Sequence, residues 1–434
     1  MPDIASLNEN DFGEELARVV FPSEAVTDEQ LLRGRSAELA GIRQASHQQG
    51  RQVFIHGLTG VGKTSLALTA AYNLQSSSKE PIYLSCDEDS DIYSIVQTIC
   101  EVCSGQKPNF LSSNTTKQVN IAQIFTGSKS SSKERINQPK SIVQCIRLLQ
   151  WAVPQYSQFT SIVIDEVNKL DSCSKSQLAI LIRNLSHANL QAKFIFAGIG
   201  ESLDDLLNMD RQTYRFLHSV SLQQLGFSAL REIIENATNH FDLDVDETTV
   251  WRICRISDGF PNFVHLLTEK TLWKVFGTLH EKSFMTRHQF GPSHFVEGVI
   301  DAVESVEQEL KRDYDAAVKR NDVNTHIILA SVADDHELER QISQIYESYS
   351  RICSENDKLN TLNKNQFNSR IYNLCKSEYG SILKKGLNRG YYTFSKQRMR
   401  GYARLRAQHA SIELFPDHPL ANQTSAIDNI SGFS

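Results

Sequence analysis

The residues best suited to chemistry lie in two short stretches. The first, Gly57-Leu58-Thr59-Gly60-Val61-Gly62-Lys63-Thr64, has the spacing G-x-x-x-x-G-K-[ST] and runs on into Ser65. Glycines let successive backbone N–H groups turn inward around phosphate oxygens. A helix starting at Lys63 would aim its positive N-terminal end at the same anion. Lys63 supplies a mobile cation for β and γ phosphates, and the Thr64 hydroxyl is a hard oxygen donor suited to Mg²⁺. The second stretch, Ile162-Val163-Ile164-Asp165-Glu166, is an apolar run ending in two acids. Asp165 would hold the magnesium, directly or through water, and Glu166 would orient and polarise an attacking water. Phosphoryl transfer needs mainly positioning and charge neutralisation, so these few groups can suffice.

Such residues need an α/β sheet to hold them, and residues 51–225 carry its pattern. Gln52–His56, Pro81–Ser85, Ser161–Asp165, Lys193–Ala197 and Ser219–Leu222 read as strands. Lys63–Gln75, Asp89–Cys103 and Ser174–Leu185 read as helices. The strands are continuous apolar runs, as buried parallel strands are. The pattern fails at 104–140, where GSKSSSKERINQP reads as a mobile surface insertion. The chain then divides into an α/β nucleotide-binding domain (1–225), a helical domain (226–300), a linker helix (301–323), a third unit (324–412) and a polar tail (413–434). A length of 434 residues accommodates that many parts.

Hydrophobic content of 40% and charged content of 22% are those of a soluble globular protein. No apolar run is long enough to span a bilayer, and the polar, acidic start lacks a secretory leader, so a cytoplasmic location is expected. Cys100 and Cys103 form a C-x-x-C with no second pair at zinc spacing. They read as reduced cysteines buried on a helix. Net charge is −6, which argues against polyanion binding by bulk charge, yet Gly380–Ser411 holds eight Lys or Arg and no acid.

Together the phosphate cradle and IVIDE resemble the two nucleotide motifs of the AAA+ ATPases. Leu32-Arg-Gly-Arg35-Ser-Ala-Glu-Leu39 resembles the segment ahead of the cradle in origin-recognition and loader initiators and in transposon target-selection ATPases. In those families it lies near the adenine, which makes Arg35 a nucleotide-contact candidate. KFIFAGIGES resembles the fourth strand and its sensor region, although only Glu201 and Ser202 are polar there. Ser257–His265 resembles the G-x-P-R segment of the helical lid, with Asn262 where the family often has Arg. The resemblance implies an α/β P-loop AAA+ core of parallel sheet flanked by helices, a helical lid, a C-terminal winged helix–turn–helix, ATP and Mg²⁺ as cofactors, and an ATP-hydrolysing activity. It also implies ATP-dependent homo-oligomers whose neighbours donate an arginine, for which Arg215, ahead of Arg211, is the choice by position. The neutral sensor strand and Asn262 imply slow or partner-dependent turnover.

In the third unit, His326–Val332, Ile342–Tyr349 and Asn365–Cys375 read as helices, followed by a turn at Asn388-Arg-Gly390 and the aromatic strand Tyr391–Phe394. Three helices and a hairpin match a winged helix. In such domains the third helix enters the major groove and the wing touches backbone or minor groove. Lys364, Asn365, Asn368 and Arg370 are groove candidates, and Lys384, Lys385 and Arg389 wing candidates. Lys396, Arg398, Arg400, Arg404 and Arg406 extend the basic stretch. Duplex DNA and a protein are therefore the expected partners, in replication, transposition or defence against mobile DNA. The competing reading is a signal-transducing ATPase of the STAND type, whose winged helix contacts protein and whose output comes from a partner.

Overall fold

The computed structural model describes residues 3–48, 50–76, 79–105, 136–200, 211–281, 289–318, 322–355 and 361–415. Most of the 104–140 insertion, the sensor candidates Glu201 and Ser202, the Arg211 side chain and the tail beyond 415 lie outside the described residues. Two compact units result, Ala25–Gln223 and a helical unit that joins Met1–Glu24 to Gln224–Ser434.

After α1 (Glu9–Leu16), which belongs to the helical unit, the α/β unit begins with α2 (Ser36–Ser46). Strands β1 (Gln52–Gly57), β2 (Ile82–Ser85), β3 (Thr160–Asp165), β4 (Ala192–Gly198) and β5 (Leu217–Leu222) form one sheet in the order β2-β3-β4-β1-β5. Every pairing is parallel. All residues of β3 and β4 are buried, which is why their centres, Ile162–Ile164 and Phe194–Ala197, are apolar runs rather than alternations. Helices α3 (Lys63–Leu74), α4 (Ile92–Cys103), α5 (Ile142–Tyr156) and α6 (Ser172–Leu185) flank the sheet. Asp91 caps α4 by accepting from Tyr93 and Ser94, and Asp171 caps α6 by accepting from Ser174. Helices α2 and α5 have no counterpart in the sequence expectations.

Register fixes what the sheet presents. Ser85 lies opposite Asp165, His56 opposite Gly198, and Gly57 opposite Leu222. The carboxyl ends of the strands therefore share one edge, the place where open α/β sheets bind ligands. Behind that edge Phe54, Ile162, Ile164, Phe194 and Phe196 pack with Cys100, Cys103 and Cys145 of α4 and α5. Burial pushes the Cys145 thiol up to about 11 and the Cys103 thiol up to about 12, so both are protonated core groups rather than reactive ones. Lys193 of β4 is buried too. Its ammonium donates to the carbonyls of Arg51 (2.5 Å), Ala45 (3.3 Å) and Gln48 (3.4 Å), and burial lowers it to about 8.

In the helical unit, α7 (Phe227–His240), α8 (Glu247–Ser257), α9 (Pro261–Glu281) and α10 (Pro292–Ser305) form the first part. The strands β6 (Asp244–Val245) and β7 (Gln289–Phe290) pair beside them. The sequence places residues 1–24 with the α/β domain; here they cluster with the helices. Phe12 explains this. Its ring stacks on Phe276 at 4.4 Å between centroids and meets Trp273 edge-on at 4.8 Å.

The N-terminal segment has a second tether. The Phe21 N–H donates to Nδ1 of the buried His265 at 3.2 Å, which requires that nitrogen to be unprotonated. Burial lowers His265 to about 4, against 6.5 in an unfolded chain. The unfolded state thus takes up a proton between those values and the folded state does not. This contribution to stability is complete above pH 6.5 and is lost as pH falls toward 4. The loss is expected to approach roughly 3 kcal/mol, and His265→Gln should flatten that part of a urea-unfolding profile against pH.

The second part of the helical unit contains α11 (Gln308–Ala317), α12 (Val323–Ala333), β8 (Arg340–Gln341), α13 (Ile342–Ser354), α14 (Lys364–Leu374), β9 (Leu383–Lys385), β10 (Tyr391–Phe394) and α15 (Arg398–His409). The three strands pair antiparallel in the order β8-β10-β9. Tyr349 and Phe367 are fully buried, with ring centroids 5.2 Å apart, and join α13 to α14.

Candidate active site

Strand β1 delivers Gly57 to the active edge, and the backbone there has no room for a side chain. A Cβ on Gly57 would lie 2.4 Å from the Leu222 carbonyl oxygen. The turn that follows is left-handed at Gly60 and again at Gly62, the residue capping α3 (φ 97°). Lys63 starts the helix. Its ammonium donates to the turn's own carbonyls, Leu58 at 2.8 Å and Gly57 at 3.2 Å. Burial lowers its affinity for a proton, with Glu166 and Asp165 acting in the opposite sense. Thr59 is exposed on the turn and Val61 is buried. The Ser65 hydroxyl accepts from the Val26 N–H at 3.2 Å.

Asp165, at the end of β3, meets this turn. The Thr64 hydroxyl donates to its Oδ2 at 2.5 Å, and the Glu166 N–H donates to Oδ1 at 2.7 Å. Tyr83 of β2 donates its hydroxyl to the same Oδ2 at 3.3 Å. Burial raises the Asp165 carboxyl above the usual range, and the Thr64 and Glu166 hydrogen bonds pull it back. Tyr83 is not among the residues singled out from the sequence. Only the register with β3 reveals it, by setting Tyr83 two residues before Ser85, which lies opposite Asp165.

Glu166 sits at φ 57°, a left-handed conformation unusual for glutamate. Its carboxylate is partly exposed, with Asn168 Nδ2 at 3.5 Å and Lys169 Nζ at 3.6 Å. Backbone strain of this kind persists where the surroundings over-determine it and clusters at functional sites.

Arg35, the nucleotide-contact candidate, lies beside the cradle. Its guanidinium is buried and engaged with protein: Gln223 carbonyl (2.6 Å), Val61 carbonyl (3.0 Å) and Glu38 (3.2 Å). It braces the cradle from behind. Arg215 is exposed in the short 3-10 turn Arg211–Phe216 that leads into β5. Asn262 lies in the first turn of α9, in the other unit, and its Oδ1 is buried with no hydrogen-bond partner among the described residues.

Among the described residues no group of three or more His, Cys, Asp or Glu side chains could hold a metal ion. Thr64 and Asp165 are nevertheless a hard oxygen pair of the kind that binds Mg²⁺ together with phosphate and water. The glycine turn, Lys63 and this pair fit a magnesium nucleotide.

Residues 46–207 match the family described as AAA domain. No curated protein matches the chain. Among solved structures, the Walker-type ATPase PABY2304 of Pyrococcus abyssi superposes with a TM-score of 0.50 at 15% identity, over 88% of this chain and 99% of its own. Aeropyrum pernix ORC2, in ADPNP–ADP complexes, gives 0.46 at 12% identity, over 90% and 96%. The Holliday junction branch migration motor RuvB of Thermotoga maritima gives 0.43 at 12%, over 91% and 99%. The five-stranded parallel sheet with flanking helices is the fold shared with that Walker-type ATPase. The matched segment holds both motifs, from Gly57 to Glu166.

The residues expected to meet DNA divide into two sets. Lys364, Asn365 and Asn368 are exposed on α14, and Lys384, Lys385 and Arg389 are exposed on the β9–β10 hairpin. Arg370, from the same helix as Lys364, is ion-paired with Asp322 and donates to Thr325 Oγ1 at 3.2 Å. The stretch on α15 behaves otherwise and corrects the sequence expectation. Arg400 is 5% exposed and binds Asp258 through Nε (2.7 Å) and Nη2 (2.5 Å). Arg404, 2% exposed, reaches the same carboxylate at 2.8 Å and three backbone carbonyls. Arg398 pairs with Glu307, Lys396 with Glu309 and Asp313, and Arg406 with Tyr402. These cations answer acids and carbonyls of their own unit, so Arg398 and Arg400 are not available for phosphate contact. No helix among the described residues is long and apolar enough to cross a membrane.

Proposed function

We propose that this chain is a magnesium-dependent ATP-binding and hydrolysing switch that assembles on ATP and acts on DNA or a DNA-bound partner. The observation that carries the reading is the meeting of Thr64 and Asp165 at 2.5 Å, beside Lys63 and Glu166, at one sheet edge. Bound Mg²⁺ would neutralise phosphate charge between Thr64 and Asp165. Lys63 and the glycine amides hold the phosphates, and Glu166 orients and polarises the attacking water. Arg215 is exposed, as a residue offered to a neighbouring subunit must be. The order helix, strand, two helices and hairpin in 323–394 supports a winged-helix reading, with Lys364, Lys384, Lys385 and Arg389 as the cations available to duplex phosphates.

The test is uptake of labelled ATP and its turnover, with and without duplex DNA, across salt concentrations. Lys63→Ala is expected to abolish uptake. Equal retention of ATP by that variant would refute the nucleotide reading. Reversing charge at Lys384, Lys385 and Arg389 is expected to remove DNA stimulation. The salt slope should fall by about 0.9 for each phosphate that is no longer neutralised.

A second reading has an observation in its favour. The neutral Asn262 and the internal pairing of Lys396, Arg398, Arg400 and Arg404 suit a STAND-type signalling ATPase with little turnover and a protein partner. Tight nucleotide binding with no turnover, unaltered by DNA, would favour it.

A further inference from the structure

The β9–β10 hairpin carries one side chain that the fold does not use. Leu387, at its tip, is 96% exposed. The turn around it is nonetheless held. Gly386 N–H donates to the Tyr391 carbonyl at 2.8 Å, Tyr391 N–H to the Asn388 carbonyl at 3.2 Å, and Leu387 N–H to the Glu339 carboxylate at 3.1 Å. Glu339 thus faces the turn's backbone and fixes it. Lys384 and Lys385 precede the leucine and Arg389 follows it, all three exposed. Beside them Tyr372 is 51% exposed, with the ammonium groups of Lys376 and Lys385 at 4.9 and 5.7 Å from its ring.

Single exposed leucines are common on protein surfaces. A leucine on a braced tip, framed by three cations, has a more specific use. The cations fit a phosphate backbone, while leucine has no donor or acceptor with which to read base edges. What an apolar tip among phosphate-binding cations can do is enter between stacked base pairs. Resting on the DNA reading above, we infer that the hairpin is a wedge. Leu387 opens a base step of duplex DNA while Lys384, Lys385 and Arg389 hold the flanking phosphates. The substrate class is then duplex with easily unstacked steps, pyrimidine–purine steps foremost.

The experiment uses the full chain with Mg²⁺-ATP and a duplex carrying 2-aminopurine beside a TA step. Wild-type protein is expected to raise the probe's fluorescence on binding. Leu387→Gln, a change at a side chain that is almost wholly in solvent, should abolish that rise. It should also bind about tenfold to a hundredfold more weakly, the range expected when a leucine loses its burial. Its salt slope should stay that of the wild type, because no cation is removed. A Lys384→Ala, Lys385→Ala variant should show the reverse: a shallower salt slope with the fluorescence rise retained at saturation. If Leu387→Gln opens the step as the wild type does, the wedge is overturned while DNA binding stands. If wild-type protein binds no duplex even at low salt, the DNA reading falls first and takes the wedge with it.

Discussion

Glu166→Gln is expected to slow ATP hydrolysis by about 10²–10⁴-fold, the usual contribution of a positioned general base, with nucleotide affinity retained. The substitution keeps the side chain's size and removes only its charge. Its neighbours Asn168 and Lys169 lie at 3.5 and 3.6 Å, so little packing depends on that charge. The hydrogen bonds that define the neighbouring carboxylate run from Thr64, Tyr83 and the Glu166 backbone to Asp165, and glutamine leaves all three in place. The variant should therefore bind ATP, fail to turn it over and accumulate in the assembled state. Single-turnover hydrolysis and sizing with ATP measure the two halves separately. A variant that hydrolyses at the wild-type rate would remove Glu166 from catalysis. One that stays monomeric with ATP bound would remove the link between nucleotide and assembly.

Asp258→Asn is expected to cost about 3–5 kcal/mol of stability, the range seen when one partner of a buried ion pair is removed. The Asp258 carboxylate receives two arginines, Arg400 at 2.5 Å and Arg404 at 2.8 Å. Its side chain is 5% exposed and theirs 6% and 2%, so water cannot take its place. Asparagine tolerates the left-handed backbone that Asp258 adopts at φ 53°, which isolates the charge from the conformation. Urea unfolding of the full chain measures the loss. Adding Arg404→Met to Asp258→Asn should recover part of it, because the second change removes a cation left without its acid. A loss under about 1 kcal/mol would class the cluster with exposed pairs.

These two sites differ in how far they can be read from the chain alone. The cradle was legible because its chemistry is local: Gly57 to Thr64 is one turn, and Asp165 ends an apolar run. The strands were legible because burial on both faces leaves apolar runs at their centres, as in FIFA of β4. Arg400 and Arg404 were not. Arginines at i and i+4 look the same whether they meet water, phosphate or a buried acid. The acid that decides, Asp258, is 142 residues from Arg400. The protein contacts of Arg35 were hidden for a related reason, since its acceptors are backbone carbonyls of Val61 and Gln223, which no residue type announces. The place of residues 1–24 turned on Phe12 finding Phe276 and Trp273, again a long-range match.

The burial of the thiols offers a practical handle. Six of the eight cysteines are buried and Cys375 is half-covered, whereas Cys173 is exposed at the start of α6, a short way along the chain from Glu166. A maleimide dye added to the unmodified chain should attach there first. Titrating Mg²⁺-ATP against the emission of that label would then test nucleotide uptake without any engineered cysteine.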